Sequence, residues 1–362
     1  MFYENKNFFR NETKTTTFKN PKSIVTSKMA KVVFYEIEEW EKDYVRERMP
    51  GYELEFHEEK LDQNNSVTAR NADAVAVFIY SEITKELLYK LPDLKLIATM
   101  STGFDHIDIK EAKGRSVLVS NVPSYGENTV AEHTFALILT LSRKIVESVE
   151  RTKRGDFSLD GLRGFDLKGK TIGVVGTGKI GKHVIRMAKG FEMNIIAYDA
   201  YPSNDYAEQM GYRYVSLDEL LSSSDIITLH APLTDQTHHI ISCQNMPKVK
   251  KGAILINTAR GGLIETECII NGLKEKILSA VGLDVLEDEC FIREEKQLLA
   301  TEFLKTCDMK VILQEHMLID QDNVIVTPHN AFNSKEALQR ILDTSIENIK
   351  KFFEGTAVNV VN

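Results

Sequence analysis

From Lys31 onward, short unbroken apolar runs alternate with longer stretches in which apolar residues recur every three or four positions. "KVVFYEI" reads as a strand, "EEWEKDYVRERM" as a helix and "YELEFH" as a second short strand. "ADAVAVFI", "ITKELLYKL" and "LKLIATM" continue the alternation, and "SVLVSNV" adds a further strand. Strands this apolar, separated by helical stretches, predict a parallel sheet covered by helices. A single long helix is predicted from about Val130 to Lys153, apolar at Val130, Ala131, Phe135, Ala136, Leu139, Leu141 and Ile145. That stripe is broad enough to pack on two surfaces, which suits a connector that also makes a subunit contact.

A second α/β series opens with "KTIGVVGTGKIGKHV" and runs through "NIIAYD", "DIITLHAP", "GAILINTARG" and "LSAVGLDV". The chain closes with "NVIVTPHNAF" and a helix from about Ser334 to Glu354. Between Glu289 and Val324 the pattern is irregular and too long for a simple connection, so a short helix or flap is expected there.

A chain of 362 residues exceeds one ordinary core and is comfortable as two domains. A formal net charge of −8 argues against a nucleic-acid binder, whose phosphate contacts need clustered Lys and Arg. No apolar stretch approaches the roughly 20 residues that span a bilayer, so no membrane partner is expected. Residues 1–28 are polar and rich in Lys and Thr, without the apolar core of a secretory signal; they read as a flexible N-terminal extension. Cys243, Cys268, Cys290 and Cys307 show no CxxC spacing and are expected as reduced thiols of a cytoplasmic protein. Nine scattered histidines lack metal-ligand spacing, and no metal site is expected.

"VVGTGKIG" places Gly176, Gly178 and Gly181 in G-x-G-x-x-G spacing between an apolar strand and a helical stretch. That context gives a weak motif its meaning. The first glycine permits a tight turn, the second lets the backbone approach a pyrophosphate and the third lets helix and strand pack closely. Thr177, Lys179 and Ile180 complete the loop. "MNIIAYD" then ends in Asp199, near the spacing expected for the acidic ligand of a ribose. A carboxylate there accepts from both ribose hydroxyls and repels a 2′-phosphate, so NAD is expected rather than NADP.

Arg260 in "INTARGG", Glu289 in "GLDVLEDE" and His329 in "IVTPHNAF" each follow an apolar run. Singly, each has a plainer reading: a solvated loop charge, a member of an acidic run, a turn histidine. Together they stand where ligands bind in open α/β sheets, beyond the carboxyl ends of the strands.

The order "STGFDHID", "NVPSYGENTVAEH", "GVVGTGKIG", "HAPLT", "INTARGG", "GLDVLEDE", "TPHNAF" resembles the D-isomer-specific 2-hydroxyacid dehydrogenases from Lys31 to the C-terminus. "STGFDHID", "SYGENTVAEH" and the Phe after "TPH" lean towards the D-lactate dehydrogenase branch. By that resemblance Arg260 binds the substrate carboxylate, His329 is the general acid and Glu289 holds the imidazole and stabilises its cationic form. The chemistry suits these residue types: a guanidinium fork matches a carboxylate, and an imidazole can give a proton to a carbonyl oxygen. The resemblance also implies backbone donation to the substrate from Thr102 and Gly103, and pocket walls at Tyr125 and Phe332. Cofactor contacts are implied at His230, Pro232, Thr258 and Ala259, with Asp284 on the nicotinamide carboxamide. His106 and His133 are read as structural.

The implied architecture is α/β with two doubly wound parallel sheets. An NAD-binding Rossmann domain, residues 128–325, is inserted in a flavodoxin-like substrate domain of residues 29–127 and 326–362. A homodimer and a small 2-oxo or 2-hydroxy acid substrate follow from the same resemblance, with pyruvate and D-lactate first. Glyoxylate or hydroxypyruvate reduction is the near alternative, and an NAD-sensing binding protein akin to the family's corepressors is the alternative from another class. Glu289 separates the chain from formate dehydrogenases, which resemble a Gln–His pair, and "MSTGFDHID" lacks the lysine of phosphite dehydrogenases. Only 33 residues follow His329, so the added regulatory domain of many phosphoglycerate dehydrogenases is not expected. Cys290, where many members have proline, and the long stretch from Glu289 to His329 depart from the common pattern.

Overall fold

Lys31–Phe34 (β1) pairs in parallel with Glu53–Phe56 (β2) on one side and Ala74–Val77 (β3) on the other. Leu96–Thr99 (β4) and Leu118–Ser120 (β5) extend the sheet to five parallel strands in the order β2-β1-β3-β4-β5, the flavodoxin-like order. The structure, a computed structural model, describes residues 29–287 and 309–362. The central strands β3 and β4 are buried along their whole length, which is why they read as unbroken apolar runs, whereas edge strand β2 carries Glu53 and Glu55. Helices Glu39–Arg48 (α1), Lys85–Lys90 (α2) and Ile109–Gly114 (α3) start at marked positions. Glu38 and Glu41 form a reciprocal capping box, Thr84 accepts the Leu87 N–H and Asp108 accepts the Glu111 N–H. The core beneath includes Val33, Val75, Leu87, Leu88 and Ile97, each such leucine or isoleucine contributing about 1.5–3 kcal/mol by burial.

The second series begins with Glu127–Ser142 (α4) and Ile145–Lys153 (α5), two helices where the hydrophobic stripe predicts one. The break is at Lys144, whose φ is 55°, in the left-handed region. The chain returns past that point: the Phe165 N–H donates to the Ser142 carbonyl at 3.0 Å, and a Cβ at Gly164 would collide with the same oxygen. Hydrophobic periodicity carries no record of such a tertiary cap.

Thr171–Val175 (β6), Asn194–Tyr198 (β7), Arg213–Tyr214 (β8), Ile226–Leu229 (β9), Ala253–Asn257 (β10), Leu278–Leu283 (β11) and Val324–Val326 (β12) form a seven-stranded parallel sheet. Its order is β12-β11-β10-β9-β6-β7-β8, so the chain reverses its direction of travel between β6 and β9. Lys179–Gly190 (α6), Asn204–Met210 (α7), Leu217–Ser223 (α8), Thr266–Lys274 (α9) and Met309–Ile319 (α10) accompany it, and Lys335–Phe353 (α11) is the last helix. Apolar residues of both faces, among them Leu229, Leu255 and Val281 on one and Ile172, Val174 and Ile256 on the other, fill two cores.

Two compact units result, one formed by the described residues up to Tyr125 with Leu338–Asn362, the other by Gly126–Ala337. The first boundary lies two residues from the expected one. The second falls after Ala337 instead of before Val326, because β12 pairs with β11 through Val281–Val324 and Leu283–Val326. In the first unit the C-terminus is stitched to β5, with the Val361 N–H donating to the Val119 carbonyl at 2.9 Å. No helix of the described residues is long and apolar enough to cross a membrane. The N-terminal extension 1–28 and the irregular stretch 288–308, with Glu289, Cys290 and Cys307, lie outside the described residues.

The expectation of reduced thiols is corrected for two cysteines: Cys243 and Cys268 are joined by a disulfide. They are 25 positions apart, and no local spacing announces the pair. A bridge between Ile241 and Ile264 lays the two segments side by side and brings the Cα atoms to 4.9 Å. Glu265 Oε2 accepts the Cys243 N–H at 2.9 Å and lies close enough to complete a set of metal-capable donors, but the two sulfurs are spent on each other.

Candidate functional site

The glycine loop sits at the point where the sheet reverses. Gly176 follows β6 with φ +92°, and a Cβ on it would stand 2.6 Å from the backbone of His230 and Ala231, which follow β9. A Cβ on Gly181 would collide with the Gly176 carbonyl, so helix α6 packs on the turn only because position 181 is bare. Gly178 differs: nothing lies within 4 Å of its would-be Cβ, leaving open space at the start of α6. The N-cap Gly178 has no side chain to cap that helix, and its first turn holds no acidic residue. An open cradle over an uncapped helix N-terminus fits a pyrophosphate. Lys179 and Ile180 supply the first turn, and Lys179 pairs with Glu127 at 3.5 Å.

Asp199 stands just beyond β7. Its Oδ2 accepts the Thr177 N–H at 2.6 Å and the Thr177 hydroxyl at 2.9 Å, and its Oδ1 accepts the Tyr201 N–H at 2.8 Å. The structure therefore brings Thr177 and Asp199 together at the loop. His230 takes part through its backbone against Gly176; its Nε2 pairs with Thr228 Oγ1 at 2.8 Å, and its buried Nδ1 has no partner among the described residues. Burial pushes that imidazole down to about 3, so it is neutral. Pro232 is exposed and its carbonyl accepts the Thr237 hydroxyl.

Three adjacent strands, β10, β11 and β12, end in Asn257, Leu283 and Val326, and the turns beyond them are tied together in series. The Asp284 N–H donates to the Asn257 carbonyl at 2.9 Å, and the His329 N–H donates to the Asp284 carbonyl at 2.9 Å. Arg260 and His329 are thereby placed on neighbouring turns at the carboxyl edge of one sheet. Arg260 is half-buried, its Nη1 donating to the Ala259 carbonyl at 2.8 Å, while Asn257 Nδ2 holds the Arg260 carbonyl at 2.9 Å. The glycine after it is forced: a Cβ on Gly261 would overlap the Leu286 carbonyl. Thr258 is buried, and its hydroxyl meets Thr134 Oγ1 at 2.9 Å.

His329 has φ +51°, an unfavourable conformation for a residue with a Cβ, and local strain of this kind persists only where the surroundings impose it. Asp284 imposes it. This buried carboxylate accepts the Thr327 hydroxyl at 2.5 Å and the Asn330 N–H at 3.0 Å on Oδ1, and the Ala331 N–H at 2.8 Å on Oδ2. The Thr327 proton is committed to the carboxylate, so His133 Nε2 must be the donor in its 3.0 Å contact with Thr327 Oγ1. Thr327 and His133 were not singled out from the sequence as site residues, since only the folded turn shows what they hold. Glu287 is a third such residue: His239 Nε2 at 2.6 Å and the Thr266 N–H at 2.8 Å pin its carboxylate two positions before Glu289. Phe332 is half-buried in the same turn, and its carbonyl accepts the Ser334 N–H.

In the other unit, the loop after β4 carries Thr102 and Gly103. Thr102 donates its hydroxyl to the Val122 carbonyl at 2.7 Å, and Asn121 Nδ2 donates to the Thr102 carbonyl at 2.8 Å. Ser101 Oγ donates to the Gly103 carbonyl at 2.6 Å. These bonds fix the loop, while the N–H groups of Thr102 and Gly103 bond to nothing among the described residues. The Tyr125 carbonyl accepts from Arg340 Nε. His106 contacts Thr99 Oγ1 at 3.2 Å, and burial lowers its imidazole to about 4 against the opposing pull of Asp105 and Glu82.

The chain is similar to known proteins over most of its length. A family model described as the NAD-binding domain of the D-isomer specific 2-hydroxyacid dehydrogenases matches residues 135–331. A 2-hydroxyacid dehydrogenase homolog of Haemophilus influenzae is 37% identical over 331 residues, 90% of this chain and 97% of that protein. The D-lactate dehydrogenase of Escherichia coli K12 is 35% identical over 331 residues, again 90% and 97%. Among solved structures, the pyruvate reductase of Chlamydomonas reinhardtii superposes with a TM-score of 0.81 at 35% identity, covering 90% of this chain and 96% of that one. The D-lactate dehydrogenase of Aquifex aeolicus, complexed with NAD and lactic acid, gives 0.78 at 36% identity with the same coverage.

Proposed function

The chain belongs to the D-isomer-specific 2-hydroxyacid dehydrogenases and is an NAD-dependent oxidoreductase; we propose that it reduces pyruvate to D-lactate, with Arg260 binding the substrate and His329 supplying the proton. The observation that carries this reading is the series of backbone bonds from Asn257 through Asp284 to His329, which sets a guanidinium and an imidazole on adjacent turns of one sheet edge.

Arg260 offers parallel N–H donors to the substrate carboxylate and, lying beside the 2-oxo group, polarises its carbonyl. The N–H groups of Thr102 and Gly103 are assigned to the substrate by the family resemblance. When bound, NADH supplies a hydride to the carbonyl carbon. His329 gives its proton to the carbonyl oxygen as the alkoxide forms, and takes it back in the reverse direction. Glu289 is assigned the task of orienting the imidazole and stabilising its cation. Thr177, Gly178, Lys179, Ile180 and Asp199 would hold the dinucleotide, with Thr258, Ala259, His230 and Pro232 along its cleft. Asp284 is assigned to the nicotinamide carboxamide and also holds the His329 turn. Tyr125 and Phe332 are assigned to the pocket walls, where they limit the substrate side chain.

A homodimer is part of the proposal. Leu139 on α4 and Ile145, Val146 and Val149 on α5 are exposed, as are Phe157 and Leu159 just beyond, and a second copy would cover such a face. The proposed compartment is the cytoplasm, where NADH is turned over.

The test is NADH oxidation by the full chain with pyruvate, glyoxylate, hydroxypyruvate, 2-oxobutyrate and phenylpyruvate, repeated with His329→Ala. Pyruvate is expected to give the highest kcat/KM, with D-lactate as product and activity lost in the variant. A higher kcat/KM for glyoxylate or hydroxypyruvate would transfer the assignment to those acids. NADH binding without turnover of any acid would replace the dehydrogenase by a sensor of the cofactor.

A further inference from the structure

Around the edge strand β8, four polar groups form one hydrogen-bonded line. Tyr212 hydroxyl lies 3.0 Å from the Tyr214 hydroxyl, Tyr214 hydroxyl lies 2.8 Å from Thr177 Oγ1, and Thr177 Oγ1 lies 2.9 Å from Asp199 Oδ2. The protons in this line have one arrangement. A carboxylate only accepts, so Thr177 must donate its single hydroxyl proton to Asp199. Thr177 Oγ1 can then only accept from Tyr214, and Tyr214 accepts in turn from the Tyr212 hydroxyl and from the Ser203 N–H at 3.1 Å. Every hydroxyl donates once towards Asp199, and chains of this sort strengthen each member by polarisation.

The line is anchored in the sheet. Tyr214 lies on edge strand β8, whose Arg213 and Tyr214 pair with Ile196 and Ala197 of β7, the strand that ends at Asp199. Tyr212 is buried in the core, with its ring 5.4 Å from that of Tyr214 in an edge-on arrangement. Burial, and then the hydrogen bond to Tyr214, push the Tyr212 phenol well above the usual range for tyrosine, so the far end of the line stays protonated. With Thr177 filling Oδ2 through two bonds and Tyr201 donating to Oδ1, the carboxylate is locked in plane and keeps acceptor capacity on Oδ1.

We propose that Tyr214, backed by Tyr212, is a positioning residue for cofactor choice: through Thr177 it holds the Asp199 carboxylate in place, so that the site accepts the ribose diol of NADH and refuses the 2′-phosphate of NADPH. A carboxylate free to swing could turn away from a phosphate; one held by this line cannot. The inference rests on the reading of Asp199 as the ribose ligand.

The experiment is calorimetric titration of NADH and of NADPH into the full chain and into Tyr214→Phe, Tyr212→Phe and Asp199→Ala, with thermal unfolding and steady-state kinetics alongside. Loss of one polarised hydrogen bond corresponds to about a fivefold weaker Kd for NADH in Tyr214→Phe, with a smaller change in Tyr212→Phe. The Kd for NADPH is expected to stay the same or improve, and in Tyr214→Phe and Tyr212→Phe kcat with saturating NADH and the KM for the 2-oxo acid to stay within about twofold, since β8 lies at the sheet edge opposite the turns of Arg260 and His329. The Ser203 N–H and Tyr212 hydroxyl left without their acceptor in Tyr214→Phe are read separately, in the unfolding temperature. A purely structural role would instead weaken both cofactors in proportion to a fall in unfolding temperature, and that result overturns the proposal. So does NADH and NADPH binding in Tyr214→Phe equal to that of the wild type while Asp199→Ala loses discrimination. If Asp199→Ala itself binds both cofactors as the wild type does, the ribose-ligand reading fails first and the proposal falls with it.

Discussion

Asp284 holds His329 from two directions: its carbonyl accepts the His329 N–H at 2.9 Å, and its carboxylate accepts the N–H groups of the next two residues at 3.0 and 2.8 Å. A single buried side chain thus shapes the turn on which the proposed proton donor sits in a left-handed conformation. Asp284→Ala would leave the buried Ala331 N–H and the half-buried Asn330 N–H without their acceptor and take the short bond from the Thr327 hydroxyl, a buried donor so stranded costing about 1–3 kcal/mol. The expected result is a loss of several kcal/mol in chemical denaturation. The milder Asp284→Asn, which keeps the shape but sets an amide N–H₂ against one set of donors, is expected to lower kcat more than tenfold with a smaller change in the KM for NADH. A kcat within twofold of the wild type in Asp284→Asn would show that His329 does not depend on this carboxylate.

The proton transfer proposed for His329 would make the two directions respond oppositely to pH. Reduction of the 2-oxo acid needs the imidazole protonated and so fades as pH rises; oxidation of the hydroxy acid needs it neutral and so fades as pH falls. His106 and His230 cannot imitate this profile, since burial lowers them to about 4 and about 3 and leaves both neutral at neutral pH. They act on stability instead. Unfolded, each would take a proton near the ordinary histidine value of about 6.5, so their contribution is intact above that pH and is lost as pH falls from about 6.5 towards 4 for His106 and towards 3 for His230. Initial rates in both directions from pH 5.5 to 9 are the measurement, and parallel trends would remove His329 from the proton-transfer role.

Arg260 is a fork and not merely a positive charge. Arg260→Lys keeps the charge and loses the paired donors, and is expected to reduce kcat/KM for pyruvate at least a hundredfold, about 3 kcal/mol, while NADH affinity stays unchanged. A tenfold effect or less would mean that the substrate carboxylate is held elsewhere.

Much of this is legible in the sequence alone, for a physical reason. Strands buried on both faces, such as β3 and β10, have no choice but unbroken apolar sequence, and the glycines at 176, 181 and 261 stand where a Cβ would strike backbone. What stayed hidden depends on distant parts of the chain meeting. The kink at Lys144 is set by Phe165, the pairing of β12 with β11 moves the domain boundary, and Cys243 meets Cys268 only because Ile241 pairs with Ile264. Likewise Asp284 shows its hold on the His329 turn only once residues 327–331 fold over it.

The exposed apolar residues on α4 and α5 lead to a prediction about assembly. Val149 is exposed, so Val149→Glu costs the isolated chain little, but in a dimer interface it buries a charge without a partner. Light scattering coupled to size exclusion is expected to give twice the chain mass for the wild type and a single chain mass for the variant. Equal masses for the two proteins would place the interface elsewhere, or leave none.

The Cys243–Cys268 bridge closes a loop of about 25 residues that contains Arg260. In the chain-entropy account, a bridge of that span stabilises by about 3 kcal/mol, mainly by restricting the unfolded chain. Opening it should therefore lower stability without disturbing the site. The backbone bonds from the Ile241 N–H to the Leu263 carbonyl at 3.1 Å and from the Glu265 N–H to the Ile241 carbonyl at 3.0 Å still hold the two segments side by side. Urea unfolding with and without a thiol reductant, and of Cys243→Ser, is expected to show the midpoint falling by the same amount in the reduced protein and in the variant. The KM for pyruvate should stay within about twofold in both, because a constraint on the unfolded state leaves the folded Arg260 turn where it is. A KM that rises on reduction would mean that the bridge holds Arg260 in place and is part of the binding site; a midpoint that does not move would mean that the bridge contributes no stability.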